Sequence, residues 1–401
     1  MNFELVRRIA ITIGALLIFR LGSHIPVPGI SVQSGVLSSG AVNRLSIFAL
    51  GLTSYLSAAI IIQLISVVWG QLSSLERSGE AGRRRIARYT LIATLLLATF
   101  QAYGIASALR DISGLVTDPD GWFVLPVTAS MVGGVLVLIW LSEQITRHGI
   151  GNGIALVVSV SILVSLPADV AGVIEVMRRG MVSGDLVLFH AVFWMAVVAL
   201  MVFVENARQN IRIEFAERKV GSRLLPARSA VLPIKLNNAG ILIPVTVAPW
   251  FWSWPLAFAA LIFGAKEPWL AAAYEHIAFA KPAHLIIGSV VIFALAFIYT
   301  SYVLDPEHAA DLLGKQGGTI PGVAPGEPTA DYLDRVVSLT TVVGAVYLVA
   351  VSLIPEVFVA HGDMLPYKIS GGSALIVICT ILDIKRQVRD VSLTNPGGIR
   401  Q

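Results

Sequence analysis

Cysteine is almost missing from these 401 residues: Cys379 stands alone, so no disulfide closes within the chain and no thiolate cluster is available to a metal. Charge is scarce as well. Asp, Glu, Lys and Arg make up 13% of the sequence, against roughly 25% in an ordinary soluble domain. The seven histidines are scattered and none falls in an HExxH spacing. No nucleophile elbow and no phosphate-binding P-loop occurs. The run His148 to Gly153 (HGIGNG) has glycines at alternate positions, but it joins two apolar stretches rather than a strand to a helix, and it reads as a tight turn. The expectation is therefore a protein that is not an enzyme, with no catalytic residue, no metal site and no cofactor.

What the chain has in excess is apolar surface. Hydrophobic residues are 56% of it and the mean hydropathy is +0.78. A bilayer core is crossed by about 20 apolar residues in a helix. Stretches of that kind lie near 9–23, 46–70, 88–109, 123–143, 154–176, 186–204, 239–262, 283–303, 337–357 and 371–384. The fold class expected is an all-α integral membrane protein of ten transmembrane helices, and the first apolar run is read as a retained helix rather than a removed signal. Arg83, Arg84 and Arg85, the basic residues between Arg208 and Lys235, and those from Lys385 onward fall on the same side as the N-terminus. By the positive-inside rule that side is cytoplasmic and both termini lie there. The net charge of +4 thus needs no nucleic-acid partner.

Three features point beyond a generic bundle. The run Ser46 to Leu64 (SIFALGLTSYLSAAIIIQL) is interrupted by serines, a threonine and a glutamine, and polar atoms at membrane depth usually face something other than lipid, so the run reads as the wall of a path. Two connections, 205–237 and 305–335, are too long to be simple links and share one face, which suits partner docking; the first alternates apolar and basic residues in a way that allows a hairpin. Ionisable residues inside the spans are few. Arg20, Glu143, Glu356 and Asp383 lie near predicted ends, where snorkelling to the interface accounts for them.

Several segments, in order and spacing, resemble the bacterial SecY family, the pore subunit of the general protein translocase. They are Ser46–Leu64, Gly79–Arg85 (GEAGRRR), Phe100–Ile105 (FQAYGI), Glu143–Ile154, Leu232–Gly240 (LPIKLNNAG), Pro321–Val336 (PGVAPGEPTADYLDRV) and Gly371–Ser373. The resemblance implies two pseudo-symmetric five-helix halves: 1–180 with spans 1 to 5 and a short plug region at 30–45, and 181–401 with spans 6 to 10 and the long loops 205–237 and 305–335. It implies a channel that moves unfolded polypeptides across the membrane and releases apolar segments laterally into the lipid bilayer. Carried over by position, Leu52, Leu56, Val158, Val245 and Val377 would form the apolar pore ring, with Thr246 a rival to Val245. Gln63 and Gln101 would sit at the lateral gate, and Val36 and Leu37 would be what remains of the plug.

The implied partners are SecE-like and SecG-like small membrane subunits, the SecA motor or the ribosome, and unfolded clients, in the inner membrane of a bacterium. Arg218, Arg223, Arg228 and Ala324 fall where cytoplasmic partners dock. The chain departs from the family pattern at informative places. Ala324 replaces an arginine used for coupling to SecA, and Thr53-Ser54 replaces a usual Met-Pro. Two alternatives stay open on sequence: a multi-pass secondary solute transporter, and a SecY paralogue restricted to membrane insertion.

Overall fold

The computed structural model describes residues 3–30, 45–77, 79–110, 116, 122–215, 218–220, 223–225, 228–240, 256, 259, 263, 267–278, 281–360 and 370–394. Helices dominate. In order they are α1 (Phe3–Gly22), α2 (Thr53–Val68), α3 (Gly70–Arg77), α4 (Glu80–Arg110), α5 (Val124–His148), α6 (Gly153–Arg178) and α7 (Gly184–Asn206). After four strands, β1 (Arg208–Phe215), β2 (Arg218–Val220), β3 (Arg223–Leu225) and β4 (Arg228–Lys235), come α8 (Pro268–His276), α9 (Pro282–Val303), α10 (Pro306–Lys315), β5 (Gly318–Thr319), α11 (Glu327–Ala360) and α12 (Gly371–Thr394). Six helices among the described residues are long and apolar enough to cross a membrane.

Several helices outrun their apolar stretches. The stretch beginning at 88 belongs to a helix that starts at Glu80, and the one ending at 384 to a helix that runs to Thr394. Once a helix is nucleated, each further residue adds a backbone bond, and i,i+4 ion pairs such as Arg84 to Glu80 at 2.7 Å support the polar extension. The seventh apolar stretch, 239–262, lies almost wholly outside the described residues, as do most of the plug region with its candidates Val36 and Leu37, and the ring candidate Val245 with its rival Thr246.

The chain divides into two compact units, residues 1–166 with 379–401, and residues 167–378. The first boundary falls inside α6 at Pro167, whose ring removes one backbone bond from the helix.

In the first unit α5 is the central element, with Val127, Met131, Val135, Leu138, Leu141 and Ile145 all buried. One of its faces receives α4 through Ala98, Ala102 and Ala106, all 0% exposed and one helical turn apart; small residues at that spacing let two helix backbones approach closely. The other face meets Ala15 and Phe19 of α1 and Leu156 and Val157 of α6. The segment leading into α2 crosses α5 at Gly134, where a Cβ would come within 2.0 Å of the Ile47 carbonyl oxygen, so only glycine fits.

The turn His148–Gly153 is the tight connection expected, and its backbone is held by side chains from distant helices. Ile150 N–H donates to Thr12 Oγ1 at 2.9 Å and Gly151 N–H to Gln387 Oε1 at 2.7 Å. Asn152 Oδ1 accepts from Ile154 N–H and Ala155 N–H, closing the start of α6. Gly151 adopts φ +87°, a left-handed conformation open to glycine at no steric cost.

In the second unit α9 packs along α11, burying Ile292, Leu295 and Ala296 on one side and Ala345, Leu348 and Val351 on the other. The two long connections do not remain loops. Strands β1 and β4 pair antiparallel over their full length, from Arg208 opposite Lys235 to Phe215 opposite Arg228, the hairpin that the alternating pattern allowed. β5, from the other connection, adds to the far edge of β1 through Glu214 to Thr319 and Phe215 to Gly318. Ile211 and Ile234 face inward and join Ala310, Ile320, Leu333 and Val337 in one small core. Both connections thereby form a single folded lobe on the base of α11, with Arg208, Arg212, Arg228 and Lys235 exposed on it.

Candidate functional site

The residues proposed for the ring are only partly brought together within one unit. Leu52 caps the start of α2 and is 3% exposed, packed with Phe48, Leu138, Leu141, Leu156 and Val157; Val158 packs against the same cluster. Leu56 is half-buried one turn further on, its backbone N–H bonded to the Leu52 carbonyl at 2.9 Å, so the two leucines share a helix face. Val377, near the start of α12, is described in the second unit, where it is buried beside Leu375 and Ile378 in sequence.

Of the polar residues of α2, Thr53 is exposed and three serines are buried. Ser54, Ser57 and Ser66 are 0, 2 and 1% exposed, so they face protein rather than an open path. Ser66 back-bonds to the Ile62 carbonyl. Ser54 reaches across to α4 and donates to Gln101 Oε1 at 2.7 Å. Gln101 is thus bonded to the serine of the Thr53-Ser54 pair, which the sequence marked as a departure without assigning it a partner. Gln63, the other gate candidate, is half-buried on α2.

At the cytoplasmic candidates, Arg218 and Arg223 fall in β2 and β3, which pair with Val220 opposite Arg223 and Arg218 opposite Leu225. Arg228 begins β4 and is exposed. Ala324 is exposed in the turn that follows β5, and its carbonyl accepts from Thr329 Oγ1 at 2.8 Å. A groove of about 720 Å³ on the same lobe is lined by Asp305, Glu307, Asp311, Glu327, Asp331 and Asp334. The sequence reading had attended only to the basic side of this lobe.

Two buried carboxylates were also missed. Glu356 is 5% exposed, so snorkelling does not account for it; its Oε1 lies 3.1 Å from His284 Nε2, tying α9 to α11. His284 Nδ1 faces the Ile277 carbonyl at 3.2 Å. A carbonyl only accepts, so Nδ1 carries a hydrogen and the Nε2 to Oε1 contact holds one shared proton, whichever atom bears it. The signal in the sequence was a histidine and an acid placed at matching ends of two neighbouring apolar runs. Glu205, at the end of α7, is 8% exposed and accepts from Asn237 Nδ2 at 2.9 Å, while Asn238 Nδ2 donates to Thr340 Oγ1 at 3.0 Å. The motif LPIKLNNAG therefore pins the end of the hairpin to α7 and α11. Arg20 and Glu143 do lie near helix ends, whereas Asp383 falls midway along α12 because that helix continues to Thr394; Glu143 pairs with Arg147 and Asp383 with Arg386.

Among the described residues no group of three or more His, Cys, Asp and Glu side chains is placed to hold a metal. Long apolar helices together with a lobe of charged strands define a multi-pass α-helical membrane protein. The SecY family model matches residues 46–385. Over 421 aligned residues the chain is 38% identical to the protein translocase subunit SecY of Escherichia coli (strain K12), covering 98% of this chain and 93% of that one. It is 38% identical to the SecY of Vibrio cholerae, with 96% and 91% covered, and 33% identical to that of Pseudomonas aeruginosa, with 96% and 90% covered. In fold it is similar to a solved protein-conducting channel (TM-score 0.70, 18% identity, 100% of this chain and 96% of that one). It is similar also to Sec61 in a canine ribosome–channel complex (TM-score 0.66, 18% identity, with the same coverage). The chain belongs to the SecY family.

Proposed function

We propose that this protein is the protein-conducting channel subunit of a Sec-type translocase, which moves unfolded polypeptides across the membrane and releases apolar segments sideways into it. The observation that carries this reading is the family match running from 46 to 385, which takes in the interrupted apolar segment Ser46–Leu64 and both connections that build the charged lobe. Leu52, Leu56, Val158, Val245 and Val377 supply the constriction. Aliphatic side chains exclude ions by dewetting and offer a moving peptide no fixed hydrogen-bond partner. The membrane is a bacterial inner membrane with both termini on the cytoplasmic side, and the halves are 1–180 and 181–401. SecE-like and SecG-like small subunits complete the channel. The lobe bearing Arg218, Arg223, Arg228 and Ala324 receives the ribosome or a SecA motor; at Ala324 a methyl group replaces a cation, so the motor contact there lacks a charge-assisted bond.

The test is ionic conductance of the reconstituted channel in planar bilayers. Leu56→Ser and Leu56→Gly should hydrate the waist and raise the resting leak several-fold over wild type; unchanged conductance in both, at normal expression, removes the ring. Reporter fusions after Asp118 and after Gly221 should report opposite sides of the membrane, and agreement between them removes the topology.

A further inference from the structure

Three serines sit on α6, and two of them bond within their own helix. Ser161 Oγ donates to the Val157 carbonyl at 2.8 Å and Ser165 Oγ to the Ile162 carbonyl at 2.9 Å, the usual fate of a hydroxyl in an apolar span. Ser159 does not. Its Oγ donates across to Thr380 Oγ1 of α12 at 2.8 Å, and Thr380 Oγ1 in turn faces the Ala155 carbonyl at 3.5 Å, the acceptor four residues back that Ser159 would otherwise use. Ser159 is 3% and Thr380 5% exposed, so bulk water does not compete for the bond. Both residues belong to the first compact unit.

We propose that Ser159 and Thr380 are positioning residues for the pore ring: their bond fixes the height and the rotation of α12 on α6. The role rests on the ring reading above. Val158 precedes Ser159 on α6 and packs against the cluster that holds Leu52, while Ser159, about 100° further round the helix, meets α12. Thr380 lies one turn beyond Val377 on the same continuous helix. The hydroxyl pair therefore joins the two helices beside one ring valine and one turn from another. Apolar contact is non-directional, so by itself it leaves two helices free to slide and turn against each other. A hydrogen bond weakens steeply with length and angle, so it marks one register. It is also easily released, because a freed Ser159 hydroxyl has its own Ala155 carbonyl to return to. Bonds of this type between membrane helices change an equilibrium by about three-fold on average and about twenty-fold at most, a scale that holds a constriction in register at rest and lets it yield when a chain passes.

The experiment measures the resting ionic leak of the full chain in planar bilayers for Ser159→Ala, Thr380→Val, the pair and Ser159→Thr, together with the unfolding midpoint of each. Either single variant should raise the leak about three-fold, the pair should raise it no further than one alone, and Ser159→Thr, which keeps the hydroxyl, should leak like wild type. Ser66→Ala is the control: Ser66 is 1% exposed, but its hydroxyl donates to the Ile62 carbonyl of its own helix, and its loss should leave the leak unchanged. A pair that leaks by the product of the two singles overturns the proposal, as does a Ser66→Ala leak of the same size. So does a lowered unfolding midpoint with unchanged leak in Ser159→Ala, which makes the bond structural only. The Leu56→Ser leak separates this role from the ring itself. If Leu56→Ser leaks while Ser159→Ala and Thr380→Val do not, the positioning role alone falls; if Leu56→Ser also behaves like wild type, the ring falls and the positioning role with it.

Discussion

The two compact units are tied internally by different chemistry. In the unit of residues 1–166 and 379–401 the long-range side-chain bonds among the described residues include four neutral ones: Ser54 to Gln101, Thr12 to Ile150 N–H, Gln387 to Gly151 N–H, and Ser159 to Thr380 at 2.8 Å. In the unit of residues 167–378 they include two buried carboxylates, Glu356 with His284 and Glu205 with Asn237. Loss of a neutral hydroxyl leaves a small deficit that a neighbouring helix absorbs. Loss of a partner of a buried carboxyl group leaves a charge, or an acid short of a hydrogen bond, in a low-dielectric interior, where the cost is larger. The second unit is therefore the one in which single substitutions should be most damaging, although both are built of comparably apolar helices.

The largest effect is expected at His284→Leu. It leaves the Glu356 carboxyl without its imidazole at 3.1 Å, and breaking a buried pair from one side typically costs about 3 to 5 kcal/mol. The double variant His284→Leu with Glu356→Leu should recover most of that loss, because two apolar groups of similar size replace the pair. Unfolding of purified protein in detergent measures both. A single variant no worse than the double one breaks the comparison at its strongest point.

Asn237→Ala comes next. It removes the donor to Glu205, and hydrogen bonds to charged groups contribute about 1.5 to 3 kcal/mol. Asn237→Asp should be worse than alanine, since it sets a second carboxylate against the first in a buried site. If aspartate is tolerated as well as alanine, Glu205 is not behaving as an anion there, and the contrast between the units narrows to His284 and Glu356.

In the first unit Ser159→Ala should cost only about 0.6 kcal/mol, and no more than about 1.7 kcal/mol, the range measured for hydroxyl contacts between membrane helices. The bond it removes is short and buried, with Ser159 3% and Thr380 5% exposed. A loss as large as that of His284→Leu would show that burial alone, and not charge, sets the scale.

How far the sequence carried the reading differs between elements for physical reasons. Span-length apolar runs are visible because a bilayer demands length and hydropathy, and α5, α6, α7 and α9 follow those runs to within a few residues. The β1–β4 hairpin was legible from alternation, since Ile211 and Ile213 point one way and Arg208 and Arg212 are exposed. The third strand was not, because β5 is two residues long and its place on β1 is a tertiary contact with no local pattern. Glu356 was misread for a related reason. Its distance from a helix end is visible in one dimension, but whether that end meets water or the face of α9 is decided by packing. Ser54 looked like a path-lining hydroxyl because polarity in an apolar run shows that lipid is avoided, without showing what replaces it.

The smallest effect concerns ion pairs outside the membrane core. Glu4 accepts from Arg8 Nε at 2.9 Å and from Arg7 Nη2 at 3.0 Å, and these hydrogen bonds, Arg8 first, hold its carboxyl below the usual carboxylate range. A carboxyl depressed in the folded state contributes stability that is present above its unfolded value and is lost as pH falls through the lowered folded value. The contribution is therefore present at neutral pH and disappears only on acidification. Yet the Glu4 side chain is 38% exposed, so water and salt screen the pairs and the side chains lose entropy in forming them. Glu4→Gln should leave the unfolding midpoint at pH 7 unchanged, at low salt and at physiological salt alike. A resolved fall at pH 7 that vanishes in acid would mean that this exposed cluster stabilises α1, and the line between the units would then have to be drawn by geometry of pairing instead of by burial of charge.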